Sequence, residues 1–202
     1  KAAKLTGLDL QSTWPLTQID TKKIKDAGLE LHVWTVDDPA VAQAGGPPEF
    51  YIIRHPNSTV AECCRVVRTN ILFCSPDKPL KTLLVTSSNP VEGKTMTVVH
   101  LGITMAQNGH RTLIVDTDMR RPRLHKALRT TNEVGTSRVI MGESDIDGAV
   151  KSTDVPNLFI MPCGPIPPNP AELLQTEKFA ALVRKLEEKF DRIIFDSPPI
   201  LA

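Results

Sequence analysis

The sequence predicts an α/β fold built on a parallel sheet with helices on both faces. From about residue 81 onward, short apolar runs of strand type alternate with helical segments, an alternation that is typical of parallel sheets. Two of these runs end in aspartates, and a third precedes a loop that contains Gly-Lys-Thr. Because ligands bind at the carboxyl ends of parallel strands, we expect these polar groups to meet at one edge of the sheet.

The composition argues against several classes of protein. With a net charge of +1, nucleic acid is not expected as the main partner. No apolar run approaches the roughly 18–20 residues that a membrane span needs, and no signal peptide precedes the body, so we expect a cytoplasmic protein. The four cysteines include the adjacent pair Cys63 and Cys64, lack C-x-x-C spacing and are expected to be reduced thiols.

Residues 1–48 are expected to form an appendage, bounded by the Gly/Pro-rich segment Ala44–Pro48. Ile24–Val36 contains a charged helix end and a strand, LELHVWTV, and is a predicted αβ unit. The segment AGLELHVWTVDDP resembles the penultimate αβ unit of a glycerophosphodiester phosphodiesterase barrel. One unit cannot close an eight-stranded barrel, so the resemblance implies no activity, and a simple linker is the alternative interpretation.

Residues 49–202 are expected to form the main domain, which opens with two short features. Tyr51–Ile53 is a predicted strand. Thr59 and Glu62 then match the capping-box pattern, which predicts a helix that runs to about Phe73.

On that predicted helix, Glu62, Arg65 and Arg68 recur every three residues and are expected to share one face. Such a face is commonly a solvated charged stripe, and a contact surface is the functional alternative.

The stretch KTLLVTSSNPVEGKT, residues 81–95, has the layout of a phosphate-binding loop between the strand Leu83–Val85 and a helix. Backbone N–H groups in such a loop point at phosphate oxygens, and the helix dipole favours their charge. Lys94 is expected to reach the β- and γ-phosphates, and the hydroxyl of Thr95 to bind Mg²⁺. Ser88 stands where the pattern G-x-x-x-x-G-K-[ST] has its first Gly, so an ordinary strand–loop–helix turn is the alternative.

The remaining elements complete the predicted alternation. The helix after the loop is expected to end at Gly109, which suits a C′ position. A long helix to about Lys189 is expected to begin at Asn169, with Pro170 at its first position and Glu172 in its first turn. Further strands are predicted at Arg111–Asp118, Asn157–Met161 and Asp191–Asp196.

Three aspartates end two of these strands. Mg²⁺ takes oxygen ligands and keeps several waters, so Asp196 is predicted to hold a metal-bound water, with capping of the next segment as its alternative role. If the chain turns after the second strand, Asp116 and Asp118 approach the metal and the γ-phosphate, and one of them could accept a proton from an attacking hydroxyl. The basic cluster Arg120–Arg123 follows, and it indicates either phosphate or acidic-partner binding or a solvated basic turn.

Three motifs together resemble those of the bacterial tyrosine kinases (BY-kinases) of polysaccharide export. TSSNPVEGKT, LIVDTDMRRPRLH and RIIFDSPP match the family's Walker A, Walker A′ and Walker B motifs in order. AECCRVVRTNI resembles its E-x-x-R-x-x-R helix, and NLFIMPCGPIPPNPAELL a later loop. The resemblance covers about residues 49–202 and implies a protein-tyrosine kinase that uses ATP and Mg²⁺ in capsule or exopolysaccharide synthesis.

The resemblance implies a role for each matched residue. Lys94, Asp116 and Asp118 are expected to be catalytic, with one of the aspartates acting on the tyrosine hydroxyl. Thr95, Asp116 and Asp196 are expected to bind the metal. The expected nucleotide-binding residues are Ser88, Asn89, Pro90, Val91, Glu92, Gly93, Lys94, Thr95 and Met96.

The resemblance also implies partners. Glu62, Arg65 and Arg68 would mediate self-association, protein tyrosines would be substrates, and a membrane chain-length or activator protein would be a further partner. The expected location is therefore the cytoplasmic face of the plasma membrane, reached through that partner or a missing transmembrane region.

Two alternatives stay open. A Min/Par-type ATPase switch would share the fold, but its signature lysine would stand at Asn89. The second is an inactive fragment, because the sequence stops soon after Walker B without a tyrosine-rich tail, and Tyr51 is its single tyrosine. We therefore expect a sheet that is incomplete at the C-terminus and leaves Leu83–Thr86 on an exposed edge.

Overall fold

The computed structural model describes residues 7–10, 30–33, 47–74 and 80–200. In the first part of the chain, β1 (Gly7–Leu10) and β2 (Glu30–Val33) pair in parallel. β2 lies within the strand predicted there. The helix end predicted just before that strand, and most of the predicted domain boundary, fall outside the described residues.

A five-stranded sheet forms the centre of the main domain. Its strand order is β3-β7-β4-β6-β5, and every neighbouring pair is parallel except β5 with β6. The α/β fold is thus confirmed, but the expectation of a wholly parallel sheet was wrong at one edge. The antiparallel strand has two residues, too few to show a periodic pattern. The strands are β3 (Thr82–Val85), β4 (Thr112–Asp116), β5 (Lys151–Ser152), β6 (Leu158–Met161) and β7 (Arg192–Asp196).

Eight α-helices are assigned in the described residues, after a 3₁₀ turn at Pro48–Phe50. They are α1 (Tyr51–Arg54), α2 (Thr59–Phe73), α3 (Lys94–Gln107), α4 (Leu124–Ala127), α5 (Thr136–Met141), α6 (Ile146–Ala149), α7 (Pro170–Leu174) and α8 (Glu177–Lys189).

The helices cover both faces of the sheet, as predicted. Successive strand residues point to opposite faces, so Leu113 and Ile114 enter different cores. Ile114 and Ile194 pack with buried residues of α2 and α3. Leu113 packs on the other side in a cluster that includes Leu186 of α8. Burial on both faces explains why β4 and β7 are continuous apolar runs.

Tyr51–Ile53 is helical, and the strand predicted there was wrong. Tyr51 is 6% exposed and its ring lies 4.6 Å from that of His55. The preceding turn is held against α3, where Nε2 of His100 lies 3.1 Å from the carbonyl oxygen of Pro48. Three apolar residues cannot distinguish a strand from a short buried helix, and these tertiary contacts select the helix.

Two predicted helices differ from the structure, one in its start and the other in its length, although the predicted start of the second at Asn169 is confirmed. α2 is capped by Ser58, one residue before the predicted Thr59, because the Ser58 hydroxyl accepts the N–H of Ala61. The segment from Asn169 to Lys189 is two helices, since Thr176 caps a new helix by accepting the N–H of Phe179. The predicted stop at Gly109 is confirmed by its left-handed φ of 87°.

β3 lies at the edge of the described sheet, as expected, and Leu84 on it is 58% exposed. The four cysteines form no disulfide. Within the ranges that the structure describes, no helix is long and apolar enough to cross a membrane.

Candidate active site

The loop between β3 and α3 presents its backbone at the carboxyl end of the sheet. Gly93 is the N-cap of α3 and has a φ of 79°, in the left-handed region that favours glycine. Its carbonyl oxygen accepts the N–H of Thr97 at 3.0 Å, which closes the first turn. The first N–H groups of a helix have no intrahelical partners and carry the positive end of its dipole, so this end of α3 suits an anion.

Glu92 closes the outer side of this loop. Its carboxylate accepts the backbone N–H of Asn89 at 2.9 Å and the Asn89 side-chain amide at 3.1 Å. Between the two residues, Val91 is 84% exposed and has a φ of 66°, a conformation that is rare for a β-branched side chain. The sequence pattern gives no sign of either feature.

Thr95 and Asp196 bring the loop and β7 together. The Thr95 hydroxyl donates to Oδ2 of Asp196 at 2.7 Å. Oδ1 of Asp196 is buried and has no hydrogen-bond partner among the described residues. Burial raises the pKa of Asp196 to about 6, against the opposing effects of the Thr95 hydrogen bond and the Lys94 charge.

This donor set fits a magnesium ion that arrives with phosphates. A cation held by Thr95 and Asp196 would satisfy the buried Oδ1 atom. Mg²⁺ keeps several waters and commonly binds through one or two carboxylates plus substrate phosphates. In the described part of the chain, no group of three or more His, Cys, Asp or Glu side chains could hold a metal ion.

Asp116 is fully buried and organises the turn that follows β4. Its oxygens accept two backbone N–H groups, that of Asp118 at 3.1 Å and that of Leu124 at 3.2 Å. Asp116 is the direct register partner of Asp196 in the neighbouring strand. Burial, together with the nearby Asp196 charge, raises the pKa of Asp116 to about 8.

Asp118 faces the cavity instead. It is 9% exposed, and its Oδ1 accepts the backbone N–H groups of Arg120 at 3.3 Å and Arg121 at 3.0 Å. β4 ends at Asp116, so the turn that the sequence analysis required is present. The turn gives the two aspartates different surroundings.

Residues that sequence analysis missed hold this turn in place. The buried Thr136 hydroxyl donates to the carbonyl oxygen of Asp116 at 3.0 Å. The Thr117 hydroxyl donates to the carbonyl oxygen of Asp196 at 2.7 Å. Gly135 lies against the end of β6, where an added Cβ would stand 2.0 Å from the carbonyl oxygen of Pro162. Thr117 lies within the LIVDTDMRRPRLH segment but had no assigned role, and Thr136 and Gly135 lie in no motif that would single them out.

A cavity of about 850 Å³ lies between the phosphate-type loop and the turn after β4. It is lined by seven of the predicted site residues: Pro90, Val91, Gly93, Lys94, Thr95, Met96 and Asp118. The predicted residues outside its lining are Ser88, Asn89, Glu92, Asp116 and Asp196. Five cationic side chains line it, against the carboxylates of Glu49 and Asp118: Lys94, Arg120, Arg121, Arg123 and Lys126.

The charged residues of α2 separate into two environments. Glu62 and Arg65 form an ion pair at 2.7 Å whose side chains are 64% and 33% exposed. Arg68 instead donates to the carbonyl oxygen of Thr104 on α3 at 3.2 Å. Its Nε is buried without a partner in the described residues.

The sequence matches the model of the AAA domain family over residues 85–202. It is 40% identical over 147 residues to tyrosine-protein kinase YwqD of Bacillus subtilis. The aligned region covers 73% of this chain and 62% of that protein. The kinase domain of Escherichia coli tyrosine kinase ETK superposes with a TM-score of 0.73 at 28% identity, over 76% of this chain and 60% of that one.

A more distant structure carries a nucleotide. Cobyrinic acid a,c-diamide synthase from Mycobacterium smegmatis, with bound ADP and magnesium, has a TM-score of 0.51 and 26% identity, over 60% of this chain and 52% of that one. The chain thus spans less than two thirds of the length of each of these three proteins.

Proposed function

Because this chain belongs to the bacterial tyrosine kinases within the AAA domain family, we propose that it transfers the γ-phosphoryl group of ATP to a protein tyrosine. The observation that carries the proposal is the contact between Thr95 and Asp196 at 2.7 Å, which leaves a buried carboxylate oxygen available to a cation beside Lys94.

In the proposed complex, Lys94 binds the β- and γ-phosphates, and the loop residues 88–96 surround the phosphate chain. Thr95 and Asp196 would hold Mg²⁺, which would supply neutralisation of the charge that develops on the phosphates. Asp116 lies beside Asp196 and supports the metal side of the site, while its two hydrogen bonds fix the turn.

Asp118 is the proposed proton acceptor because it lines the cavity, whereas Asp116 does not. The tyrosine oxygen attacks the γ-phosphorus, the bond from that phosphorus to the β-bridging oxygen breaks, and ADP leaves. The hydroxyl proton passes to Asp118. The backbone N–H groups of Arg120 and Arg121 hold the Asp118 carboxylate in position for this step.

The acceptor tyrosine lies outside residues 47–200 in this proposal. Tyr51 is the single tyrosine of the sequence, it is buried, and it packs against His55 in α1. Its hydroxyl therefore cannot enter the cavity unless α1 leaves the core.

The Min/Par-type ATPase switch is the less favoured function. Its signature lysine would stand at Asn89, whose side-chain amide instead donates to Glu92 at 3.1 Å. Asn89 therefore acts within its own loop and carries no positive charge for a partner's phosphates.

We propose self-association through the ion pair of exposed Glu62 and half-buried Arg65, with Arg68 orienting α2 on α3. Sedimentation velocity would test this assignment. Arg65→Ala is expected to reduce association, and unchanged association in that variant would contradict it.

Capsule or exopolysaccharide synthesis is the proposed pathway, with a membrane activator as partner at the cytoplasmic face. The support for this proposal is the membership of the chain in the kinase family. Stimulation of phosphoryl transfer by the cytoplasmic segment of the activator would support the proposed partner, and a lack of stimulation would count against it.

The direct test of the function is incubation with radiolabelled ATP, Mg²⁺ and a tyrosine-containing peptide, followed by separation of protein, peptide and free phosphate. Label on the peptide tyrosine is the expected result. Free phosphate alone would favour the ATPase switch, and no turnover would contradict both activities.

A further inference from the structure

The basic wall of the cavity, formed by Arg121, Arg123 and Lys126, is not used in the proposed transfer step. All three side chains are exposed and line the cavity with Lys94. None of the three forms an ion pair within the described residues. The basic wall therefore presents unpaired positive charge to a ligand that enters the cavity beside it.

The residues of the basic wall come from a different segment of the chain than the phosphate loop. Arg121 directly follows the turn that holds Asp118, and Arg123 is the N-cap residue of α4 without a side-chain capping bond. Lys126 lies in the last turn of α4. The three cations thus belong to the Asp118 side of the cavity, where the acceptor tyrosine has to present its hydroxyl.

We propose that this basic wall selects acceptor segments that carry negative charge beside the tyrosine. The inference rests on the proposed kinase function and assigns a substrate class to the same site. The charge comes from neighbouring carboxylates or from a neighbouring phosphotyrosine, because both offer oxygen acceptors to guanidinium and ammonium groups. A broad nucleic-acid surface is disfavoured, since the chain as a whole has a net charge of only +1.

Fluorescence anisotropy with three labelled peptides of equal length tests the proposal. Each contains one acceptor tyrosine, flanked by glutamates, by glutamines, or by glutamines with one phosphotyrosine. The protein is held in saturating Mg²⁺ and ADP. A glutamate or phosphotyrosine peptide is expected to bind about tenfold more tightly than the glutamine peptide, and salt should reduce that difference. The stronger of the two anionic peptides identifies the source of the charge.

Variants locate the contact. The double variant Arg123→Gln with Lys126→Gln is expected to remove most of the preference and leave binding of the glutamine peptide unchanged. Arg184→Gln with Lys185→Gln is the matched control, because it also removes two positive charges, and both residues are exposed on α8 and do not line the cavity. It should keep the preference.

Equal binding of all three peptides would overturn the inference, as would a preference that survives the double variant. A preference for the anionic peptides that appears only when ADP and Mg²⁺ are left out would also overturn it, because the peptides would then occupy the phosphate loop. Binding is measured without phosphoryl transfer, so an intact preference with no transfer would count against the kinase function alone.

Discussion

The hydroxyl of Thr95 and the carboxylate of Asp196 lie 2.7 Å apart, although the two residues are separated by 101 positions in the sequence. Thr95 is the second residue of α3 and Asp196 is the last residue of β7, so the contact joins the phosphate loop to the sheet. The other carboxylate oxygen is buried and has no hydrogen-bond partner in the described structure, which is the reason that we propose a cation at this contact.

Thr95→Val is expected to weaken binding of ADP and Mg²⁺ by about tenfold to a hundredfold, because valine keeps the shape and removes the proposed metal ligand. Isothermal titration calorimetry measures the change. Thr95→Ser retains the hydroxyl and should bind almost as well as the unaltered protein. Equal affinity for the valine variant would exclude Thr95 from the metal site.

Lys94→Met is expected to abolish nucleotide binding, since it removes the charge that meets the phosphates. Asp118→Asn should spare binding and reduce phosphoryl transfer by about 10²–10⁴-fold, the range for loss of a general base. Titration with labelled ADP and a peptide phosphorylation assay separate the two effects. Unchanged transfer in both variants would remove the proposed mechanism.

Asp116 is expected to make the metal-free protein less stable as pH rises. Its pKa is about 8 in the folded state against an ordinary value of 3.8, so the folded state binds more protons between these values. Stability is therefore lost as pH increases from about 4 to about 8. Asp116→Asn removes this dependence, although it also loses one hydrogen-bond acceptor.

Thermal melts in EDTA at several pH values would measure the Asp116 effect. The melting temperature of the asparagine variant, relative to that of the unaltered protein, should rise across that pH range. A constant difference would show that Asp116 titrates normally.

Val91→Gly is expected to stabilise the protein by about 0.5–1 kcal/mol. A left-handed backbone costs a non-glycine residue roughly 1–2 kcal/mol, and part of this gain is offset by the greater freedom of glycine in the unfolded chain. Val91→Ala is the control, because alanine keeps the unfavourable φ. Urea unfolding would reveal the difference, and equal stability of the glycine and alanine variants would argue against strain at this position.

Gly135→Ala is expected to destabilise the fold by about 1–3 kcal/mol or more, because the new Cβ would meet the rigid backbone of Pro162. Gly148→Ala is the control, since its Cβ would meet only side-chain atoms, Oδ1 of Asp145 at 3.0 Å and the hydroxyl oxygen of Ser144 at 3.4 Å. Chemical denaturation compares the two. Similar losses would mean that the backbone at Gly135 can shift.

Most of the sheet could be predicted because β4 and β7 are buried on both faces and read as uninterrupted apolar runs. The loop before Lys94 and the acidic strand ends could also be predicted, because the signals for strand, turn and helix follow one another directly in the sequence. The juxtaposition of Asp116 and Asp196 then follows from parallel pairing, which brings the ends of neighbouring strands together.

Features that depend on tertiary contacts could not be predicted. Tyr51 is helical because its segment rests on α3, and β5 is a strand only because β6 offers an edge to pair with. The support that Thr136 gives to Asp116 joins residues 20 positions apart with no motif between them. The left-handed Val91 contradicts its own propensity, so no local rule would have placed it there.

Because Tyr51 is buried, its phosphorylation would report local unfolding of α1. A phosphate could reach this hydroxyl only in a molecule whose α1 had left the core, and the modified side chain could not return, because a doubly charged group is costly to bury without partners. Phosphate on Tyr51, counted by mass spectrometry, would therefore accumulate with each excursion and measure how often this corner of the molecule opens.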